Sequence, residues 1–297
     1  MPEVEQIINM LTGSDNTVKE ENKRAGEKTV QQFYCDARSQ SDLNDFVDSS
    51  KPKLVALVGF VGFGKSTFIG SLYQKLIENL TYLNFSFVDS DTYVGFERRV
   101  FLRRVNEYNA SDTKRNILGE NDILNVKLKS QNGTVHQILI SDKAGETYQK
   151  YLSSNDDIER DIVLMNSDLV IFFIDAEADS KSLAKHNLIV DDYSSLLKRL
   201  KKLNKVGPLT KYLLVFTKFD KVTTDEKKAK LAERKVEIEN LFERMLGERP
   251  EHVCEVNSTD LNNKPLEYVF AKLLCPLAPR EEIKELDWVK TEIEKEK

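Results

Sequence analysis

The stretch KLVALVGFVGFGKSTF, residues 53–68, decides the fold of this chain. Its first six residues form a continuous apolar run rich in valine and leucine, which is typical of a strand covered on both faces. After the glycines, apolar residues recur at the spacing of one helix face, at Phe68, Leu72, Leu76 and Leu80. The stretch therefore predicts a buried strand, a glycine-rich loop and a helix over residues 65–80.

The loop between this strand and helix fits the phosphate-binding pattern GxxxxGK[ST], in the context of strand, loop and helix that the pattern requires. Backbone N–H groups that surround phosphates need residues that tolerate positive φ and carry no obstructing side chain. Lys65 would bring a cation to the β- and γ-phosphates, and the Ser66 hydroxyl would ligate Mg²⁺. The alternative is a glycine-rich turn without a ligand. The predicted nucleotide-binding residues of the loop are Gly59, Gly62, Gly64, Lys65, Ser66 and Thr67.

Beyond the loop, strand-like and helix-like segments alternate. Further strands are predicted at 123–130, 135–142, 168–175, 211–217 and 251–256. Helices are predicted at 94–108, 156–166, 180–203, 225–246 and 265–274. Asn132 and Gly133 predict a hairpin between the first two of these strands, because both residues of such a turn adopt positive φ. The pattern predicts an α/β fold with a mostly parallel central sheet, an antiparallel edge strand and helices on both faces.

The helix predicted at 225–246 carries signals at both ends. Thr223 and Glu226 have the spacing of a capping box, in which the threonine side chain accepts a hydrogen bond from the first turn. Gly247 follows the last periodic residue and is expected to end the helix in the left-handed conformation.

The chain divides into three parts by composition. Residues 1–50 are polar with short apolar clusters and predict a loosely attached N-terminal extension. The main domain is expected to span 51–277, and within it residues 81–121 form a long region of ambiguous pattern. Residues 278–297 predict a charged amphipathic helix at the C-terminus.

Composition narrows the classes of function. With 44 basic against 49 acidic residues the net charge is −5, so we expect no nucleic acid as the main partner. The three cysteines lie far apart, in no metal-ligand spacing, and indicate reduced thiols. The N-terminal residues lack the basic region of a secretory signal, and the longest apolar run is too short to span a bilayer. We therefore expect a cytoplasmic protein without an integral membrane segment.

Two further motifs stand at predicted strand ends. Asp142 and Gly145 form a DxxG, in which the aspartate can hold Mg²⁺ through water and the glycine N–H can reach a γ-phosphate. Taken alone, this pattern is also ordinary loop chemistry. In TKFD, residues 217–220, the Asp220 carboxylate can accept two hydrogen bonds from guanine, which adenine cannot donate, and Lys218 can lie along the base. The alternative is a solvated turn.

In their order and on these elements, the motifs GFVGFGKS, DKAG, TKFD and NST resemble those of the Ras-like GTPases of the TRAFAC class, over about residues 52–277. Within that class, TYVGFERR and SDKAGE look like the double-GTPase type, which is found in bacterial multi-gene systems suspected of conflict roles. The resemblance implies a P-loop NTPase fold, with GTP or GDP and Mg²⁺ as ligands. It makes 51–277 a GTPase domain whose first switch is expanded at 81–121.

The resemblance also implies roles for residues outside the phosphate loop. Asp142 and Thr113 would join Ser66 at Mg²⁺, although Thr92 is a second candidate for the first-switch threonine. Lys65, Glu146 and Thr113 would be the catalytic residues. The remaining nucleotide contacts would come from Gly145, Thr217, Lys218, Asp220, Asn257 and Ser258.

Several positions depart from the family pattern. Thr217 stands where the family usually has asparagine, and Glu146 stands where many members have a glutamine that positions water. The last loop, with Asn257 and Ser258, lacks the usual Ser-Ala-Lys. The arginines of the first-switch region either include an internal arginine finger or form a solvated helix face; they are Arg98, Arg99, Arg103 and Arg104.

The function predicted on these grounds is a molecular switch that hydrolyses GTP slowly and is stimulated by a protein partner or by self-association through the switch regions. The alternative is a nucleotide-binding scaffold that hydrolyses little and assembles partner proteins. A small-molecule kinase is less well supported, because TKFD would then be idle.

Overall fold

The computed structural model of the chain describes residues 35–43, 52–105, 122–203 and 211–277, with the backbone alone at 101–105. Thr113 and the helix predicted at 278–297 lie outside these ranges. So does most of the predicted N-terminal extension.

A central sheet organises the described residues, in the strand order β2-β3-β4-β1-β5-β6-β7. Its strands are β1 (Lys53–Val58), β2 (Phe85–Asp89), β3 (Ile123–Ser130), β4 (Val135–Ser141), β5 (Leu169–Asp175), β6 (Lys211–Thr217) and β7 (His252–Glu255). The strands from β4 to β7 in this order are parallel to their neighbours, and β3 pairs antiparallel with both β2 and β4. The predicted mostly parallel sheet with an antiparallel edge is confirmed.

The antiparallel edge contains one strand that the sequence pattern did not predict. β2 is partly exposed along its length, and its register with β3 shifts between Phe87 and Asp89. Such an edge strand lacks the long apolar run of a buried strand, so its pattern is weak. The hairpin predicted between β3 and β4 is present. Gly133 has φ 89° as predicted, but Asn132 does not have the positive φ expected of it.

The helices are α1 (Lys65–Glu78), α2 (Tyr93–Val105), α3 (Gly145–Tyr151), α4 (Asn155–Glu159), α5 (Ile162–Met165), α6 (Ala176–Lys181), α7 (Leu183–Lys202), α8 (Asp225–Leu246) and α9 (Lys264–Leu274). They cover both faces of the sheet with two apolar cores. Along β1, Val55 and Leu57 belong to one core, while Ala56 and Val58 belong to the other. Both faces of this strand are therefore buried, as predicted.

Three helix predictions were wrong in detail because local capping overrides periodicity. The single helix predicted at 156–166 is interrupted where Asp161 accepts a hydrogen bond from Leu164 N at 3.0 Å and starts α5. The helix predicted at 180–203 is divided at Ser182, which caps α7. The N-cap of α8 is Thr224 rather than Thr223, and Gly247 ends that helix at φ 84° as predicted.

Residues 35–43, within the predicted extension, are attached to the domain. Arg38 forms an isolated antiparallel bridge with Ile123, and its carbonyl also accepts a hydrogen bond from Asp122 N at 3.1 Å. Gln40 accepts one from Ile162 N at 2.7 Å. This segment therefore lies beside the start of β3, whose Ile123 pairs with Ser141 at the end of β4.

Candidate functional site

The phosphate-binding loop joins the carboxyl end of β1 to the start of α1. Gly62 and Gly64 have φ 79° and 83°, in the left-handed region that glycine enters without a steric cost. Gly64 is the N-cap of α1, so the first N–H groups of the helix, which have no partner within it, stand at the end of the loop. Ser66 and Thr67 lie in that first turn and are half-buried.

The Lys65 side chain folds back over its own loop. Its Nζ donates to Gly59 O at 2.5 Å and lies 3.5 Å from Phe60 O. Burial lowers the pKa of Lys65 to about 8, and the nearby carboxylates of Asp142 and Glu146 oppose that shift. The backbone carbonyls thus hold a cation that phosphate oxygens would take over in a complex.

The helix α3 packs directly on the phosphate loop. Its first residue is Gly145, and a Cβ built there would lie 2.3 Å from Val61 N, so only glycine fits. Tyr148 on the same helix is fully buried and donates from its hydroxyl to Leu57 O at 2.8 Å. Its ring centroid lies 5.5 Å from Lys65 Nζ, within cation–π distance. The helix α3 therefore contacts both the backbone of the phosphate loop, through Gly145, and the Lys65 side chain, through Tyr148.

Asp142 is fully buried beside the loop. Its Oδ2 accepts a hydrogen bond from Nε of Arg99 at 2.7 Å, and Arg99 is itself 4% exposed. The same guanidinium donates from Nη1 to Gly95 O at 2.8 Å, within α2. We refer to Asp142 and Arg99 as the metal side of the site.

Lys143, the residue after Asp142, anchors the DxxG segment through buried ion pairs. Lys143 Nζ lies 2.8 Å from Asp122 Oδ2 and 3.9 Å from Asp161 Oδ1. Burial raises the pKa of both carboxyls, and the positive charge of Lys143 opposes that shift. Tyr151 donates to Asp161 Oδ2 at 2.9 Å. This network fixes the chain between β4 and α3, so Asp142 and Gly145 keep their places.

The TKFD segment follows β6 and touches the phosphate loop. The Thr217 hydroxyl is buried, 2.9 Å from Phe63 O and 3.2 Å from Ile174 O, so it joins β6 to the loop rather than facing a ligand. Lys218 has φ 56°, and its Nζ donates to Asp175 Oδ2 at 2.6 Å. Asp220 lies exposed in the short turn that follows.

The loop after β7 lies beside this segment. Asn257 Oδ1 accepts hydrogen bonds from Thr259 N at 3.0 Å and from the Thr259 hydroxyl at 2.7 Å. Ser258 is buried, and its carbonyl accepts a hydrogen bond from the hydroxyl of Ser71 on α1. Phe219 N donates to Val256 O at 3.3 Å. The two loops therefore form one surface continuous with α1.

These loops, at the carboxyl ends of parallel strands, follow the order that the sequence predicted, and comparison with known families agrees. A family model described as Double-GTPase 2 matches residues 53–274, well over half of the chain. The chain belongs to the Double-GTPase 2 family. No curated protein is similar enough to the chain to count as a match.

Membership in Double-GTPase 2 confirms the predicted double-GTPase type and the fold of a P-loop GTPase, and it supports binding of a guanine nucleotide. Within residues 35–43, 52–105, 122–203 and 211–277, no helix has the length and apolarity that crossing a membrane would require.

The oxygen donors near the loop fit Mg²⁺. This ion keeps several waters in phosphate sites and takes only one or two protein oxygens, together with phosphate oxygens. Ser66 stands half-buried in the first turn of α1. Asp142 is close enough to Lys65 to influence its pKa. A hydroxyl and a carboxylate therefore flank the phosphate loop and suit Mg²⁺ as ligands, although in this structure the carboxylate is buried and paired with Arg99.

The structure describes only one of the two candidates for the first-switch threonine. Thr92 is fully buried, and its hydroxyl accepts a hydrogen bond from Asn125 N at 2.7 Å, so it connects the start of α2 to β3. Thr113 lies outside the described residues, and its role stays a prediction.

Sequence reasoning missed three contacts of the site. Tyr148 beside Lys65 has no motif signal, although it is one turn beyond the DxxG. Asp175, the partner of Lys218, ends an apolar strand and caps the next helix, which is a recognisable N-cap signal. Arg99 was one of four arginines in an ambiguous region, and the sequence does not show that it is buried beside Asp142.

Proposed function

We propose that the chain is a GTP-binding molecular switch that hydrolyses GTP to GDP with Mg²⁺, slowly by itself and faster with a partner. The observation that carries the proposal is the packing of Gly145 and Tyr148 against the phosphate loop and Lys65. This contact joins the segment expected to sense the γ-phosphate to the loop expected to hold it. Family membership supports the guanine nucleotide as ligand.

The proposed chemistry is in-line attack by water on the γ-phosphate. Lys65 leaves the carbonyls of Gly59 and Phe60 and donates to the β- and γ-phosphates, and the loop N–H groups stabilise the remaining charge. Mg²⁺, when bound, supplies further positive charge near Ser66 and Asp142. Glu146 lies next to Gly145 and would act on the attacking water.

The switching part of the proposal concerns two segments. The Gly145 N–H and the Thr113 hydroxyl would hold their segments ordered while the γ-phosphate is present, and hydrolysis would release them. A protein partner, or a second copy of the chain, would act on these segments. We place the switch in a bacterial multi-protein or defence system, on the resemblance to the double-GTPase type.

The proposed guanine site consists of Lys218, Asp220 and the loop with Asn257 and Ser258. Lys218 is held in the left-handed conformation beside Asp175, which leaves its stem available to the base. Asp220 is exposed and would accept from the guanine N1–H and amine. Thr217 would contribute through the phosphate loop, to which it is hydrogen-bonded.

Two observations favour the alternative of a scaffold with little hydrolysis. Asp142 is fully buried and paired with Arg99, and Glu146 replaces a residue that can both donate to and accept from water. Both features would slow the chemical step more than the binding of nucleotide.

The test is phosphate release measured with GTP and ATP in parallel, together with the affinity for each nucleotide. A slow release from GTP alone supports the switch. Tight GTP binding without release supports the scaffold. Equal use of ATP would show that TKFD does not select the base.

A variant tests base selection directly. Asp220→Asn replaces two acceptors by one donor and one acceptor, and xanthine offers a carbonyl where guanine has its amine. The preference should move toward xanthine nucleotides, by about 100-fold in the affinity ratio if two charge-assisted bonds are exchanged. Asp225→Asn, a few residues further on, is the matched control.

A further inference from the structure

The metal side contains a buried ion pair that the catalytic scheme does not use. Arg99 Nε lies 2.7 Å from Asp142 Oδ2, with Arg99 4% exposed and Asp142 0% exposed. In this arrangement the carboxylate is covered on every side by protein. A hydrated Mg²⁺ ion would reach it only after a covering group has moved.

Arg99 stands on a helix that is fixed at its first turn. Val94 N donates to Cys35 O at 3.0 Å, and Arg98 Nη1 lies 2.6 Å from Asp36 Oδ2. A Cβ built on Gly95 would lie 2.7 Å from Ala37 N, so the two backbones are in direct contact. The residues 35–43 therefore hold the start of α2 in place.

The opposite face of α2 is packed into the core. The Phe96 ring stacks on Tyr73 of α1 with 4.9 Å between centroids, and Tyr73 also donates to Glu97 Oε1 at 2.9 Å. With the helix held on two sides, the Arg99 side chain can leave Asp142 by rotating, without unfolding of α2.

The charges of Arg99 and Mg²⁺ make them competitors for Asp142. A buried carboxylate deprived of its arginine is strongly unfavourable, so the pair persists while no other cation is present. Mg²⁺ bound to phosphates brings two positive charges to the same carboxylate, directly or through a water. One carboxylate between a guanidinium and a divalent cation would leave the two cations in mutual repulsion.

We propose that Arg99 is a positioning residue that competes with Mg²⁺ for Asp142, so that binding of Mg²⁺ with GTP displaces the Arg99 side chain. The inference rests on the proposed function, because it requires the nucleotide and Mg²⁺ beside the phosphate loop. By reciprocity, whatever holds Arg99 on Asp142 weakens the binding of Mg²⁺.

The first test is the Mg²⁺ concentration that half-saturates the binding of a fluorescent, slowly hydrolysed GTP analogue. Arg99→Gln removes the competing charge and should lower this concentration by about tenfold, within the usual range for coupled sites. Arg98→Gln changes the neighbouring arginine, which pairs with Asp36, and should leave the concentration unchanged. An unchanged or raised concentration in Arg99→Gln would overturn the inference.

A double-mutant cycle separates competition from a general loss of packing. In the Asp142→Asn background there is no carboxylate to compete for, so adding Arg99→Gln should leave the Mg²⁺ dependence unaltered. The double variant replaces an ion pair by two neutral side chains of similar shape, which is tolerated better than leaving one charge buried alone. An equal effect of Arg99→Gln in both backgrounds overturns the inference.

The wild-type protein gives an independent readout by NMR with isotopically labelled arginine. The Nε–H signal of Arg99, assigned by its absence from Arg99→Lys, should be protected from exchange without Mg²⁺ and should shift or vanish when Mg²⁺ and the analogue are added. A signal unchanged by saturating Mg²⁺ and analogue would overturn the inference alone. Failure of the wild type to bind guanine nucleotide would instead overturn the proposed function, and the inference with it.

Discussion

The phosphate loop and the metal side lie next to each other, yet they are built from contacts of different range. Lys65 is held by carbonyls five and six positions earlier in the chain. Asp142 is held by an arginine 43 positions away. A motif of a few residues therefore contains the carbonyl contacts of Lys65, whereas the metal side depends on how α2 packs. The carbonyl contacts of Lys65 should resist changes in α2, and the metal side should not.

The largest effect is expected at the centre of the loop. Lys65→Ala removes the buried cation that faces the β- and γ-phosphates, and nucleotide affinity should fall about 100-fold, or ~3 kcal/mol. Calorimetry with GDP measures it, and Lys75→Ala, which changes a partly exposed lysine on the same helix, is the control. Unchanged affinity in a folded Lys65→Ala protein would remove the basis for calling this loop a phosphate site.

The second prediction concerns Gly145, where α3 contacts the phosphate loop. Gly145→Ala places a Cβ against the backbone of Val61, so we expect the free energy of unfolding to fall by about 2 kcal/mol, as in overpacked cores. Nucleotide binding should weaken as well, because the loop must move. At Gly62 a Cβ has nothing within 4 Å, so Gly62→Ala tests the cost of positive φ without the collision. Equal stability of Gly145→Ala and the wild type in chemical denaturation would contradict the close approach.

The third prediction sharpens the comparison through pH. Because burial lowers the pKa of Lys65 to about 8, the free protein loses this proton above pH 8, while bound phosphates would keep the lysine charged. Binding above pH 8 then requires uptake of a proton, so affinity should be nearly constant below pH 7 and fall about tenfold between pH 7 and pH 9. Fluorescence titrations between pH 7 and 9 test it. Lys65→Arg stays charged throughout and should lack this dependence.

The smallest effect is expected at Glu146, on the border of the metal side. A carboxylate only accepts hydrogen bonds, whereas glutamine can also donate to water. Single-turnover hydrolysis should be slow in the wild type, at about 10⁻² per second or below, and a few times faster in Glu146→Gln. Repeating the measurement at rising protein concentration reveals self-association as an accelerated rate. Fast turnover in dilute wild-type protein would mean that one chain already holds the complete machinery.

The elements of the fold with long apolar patterns were predicted well, and those decided by packing were not. β1, β5 and β6 are continuous apolar runs, and the Asn132-Gly133 turn is encoded by its own residues, so each was predicted from the sequence. β2 was missed because an edge strand with one side open to solvent needs no regular pattern. The interruptions at Asp161 and Ser182 depend on which polar side chain caps the N-terminus of a helix. Hydrophobic periodicity carries no information about that choice.

The candidate site likewise contains features set by short sequence motifs and features set by packing. The sequence by itself determined the phosphate loop, the place of Asp142 and Gly145 after β4, and the TKFD turn after β6. In each case a short run of residues carries its own backbone geometry, and parallel strands bring their carboxyl ends to one edge of the sheet. Only the tertiary structure decided that Thr217 ties the loop to β6, that Tyr148 lies against Lys65, and that Arg99 reaches Asp142. These contacts join residues far apart in the chain, and their partners are selected by burial and shape, which no local pattern records.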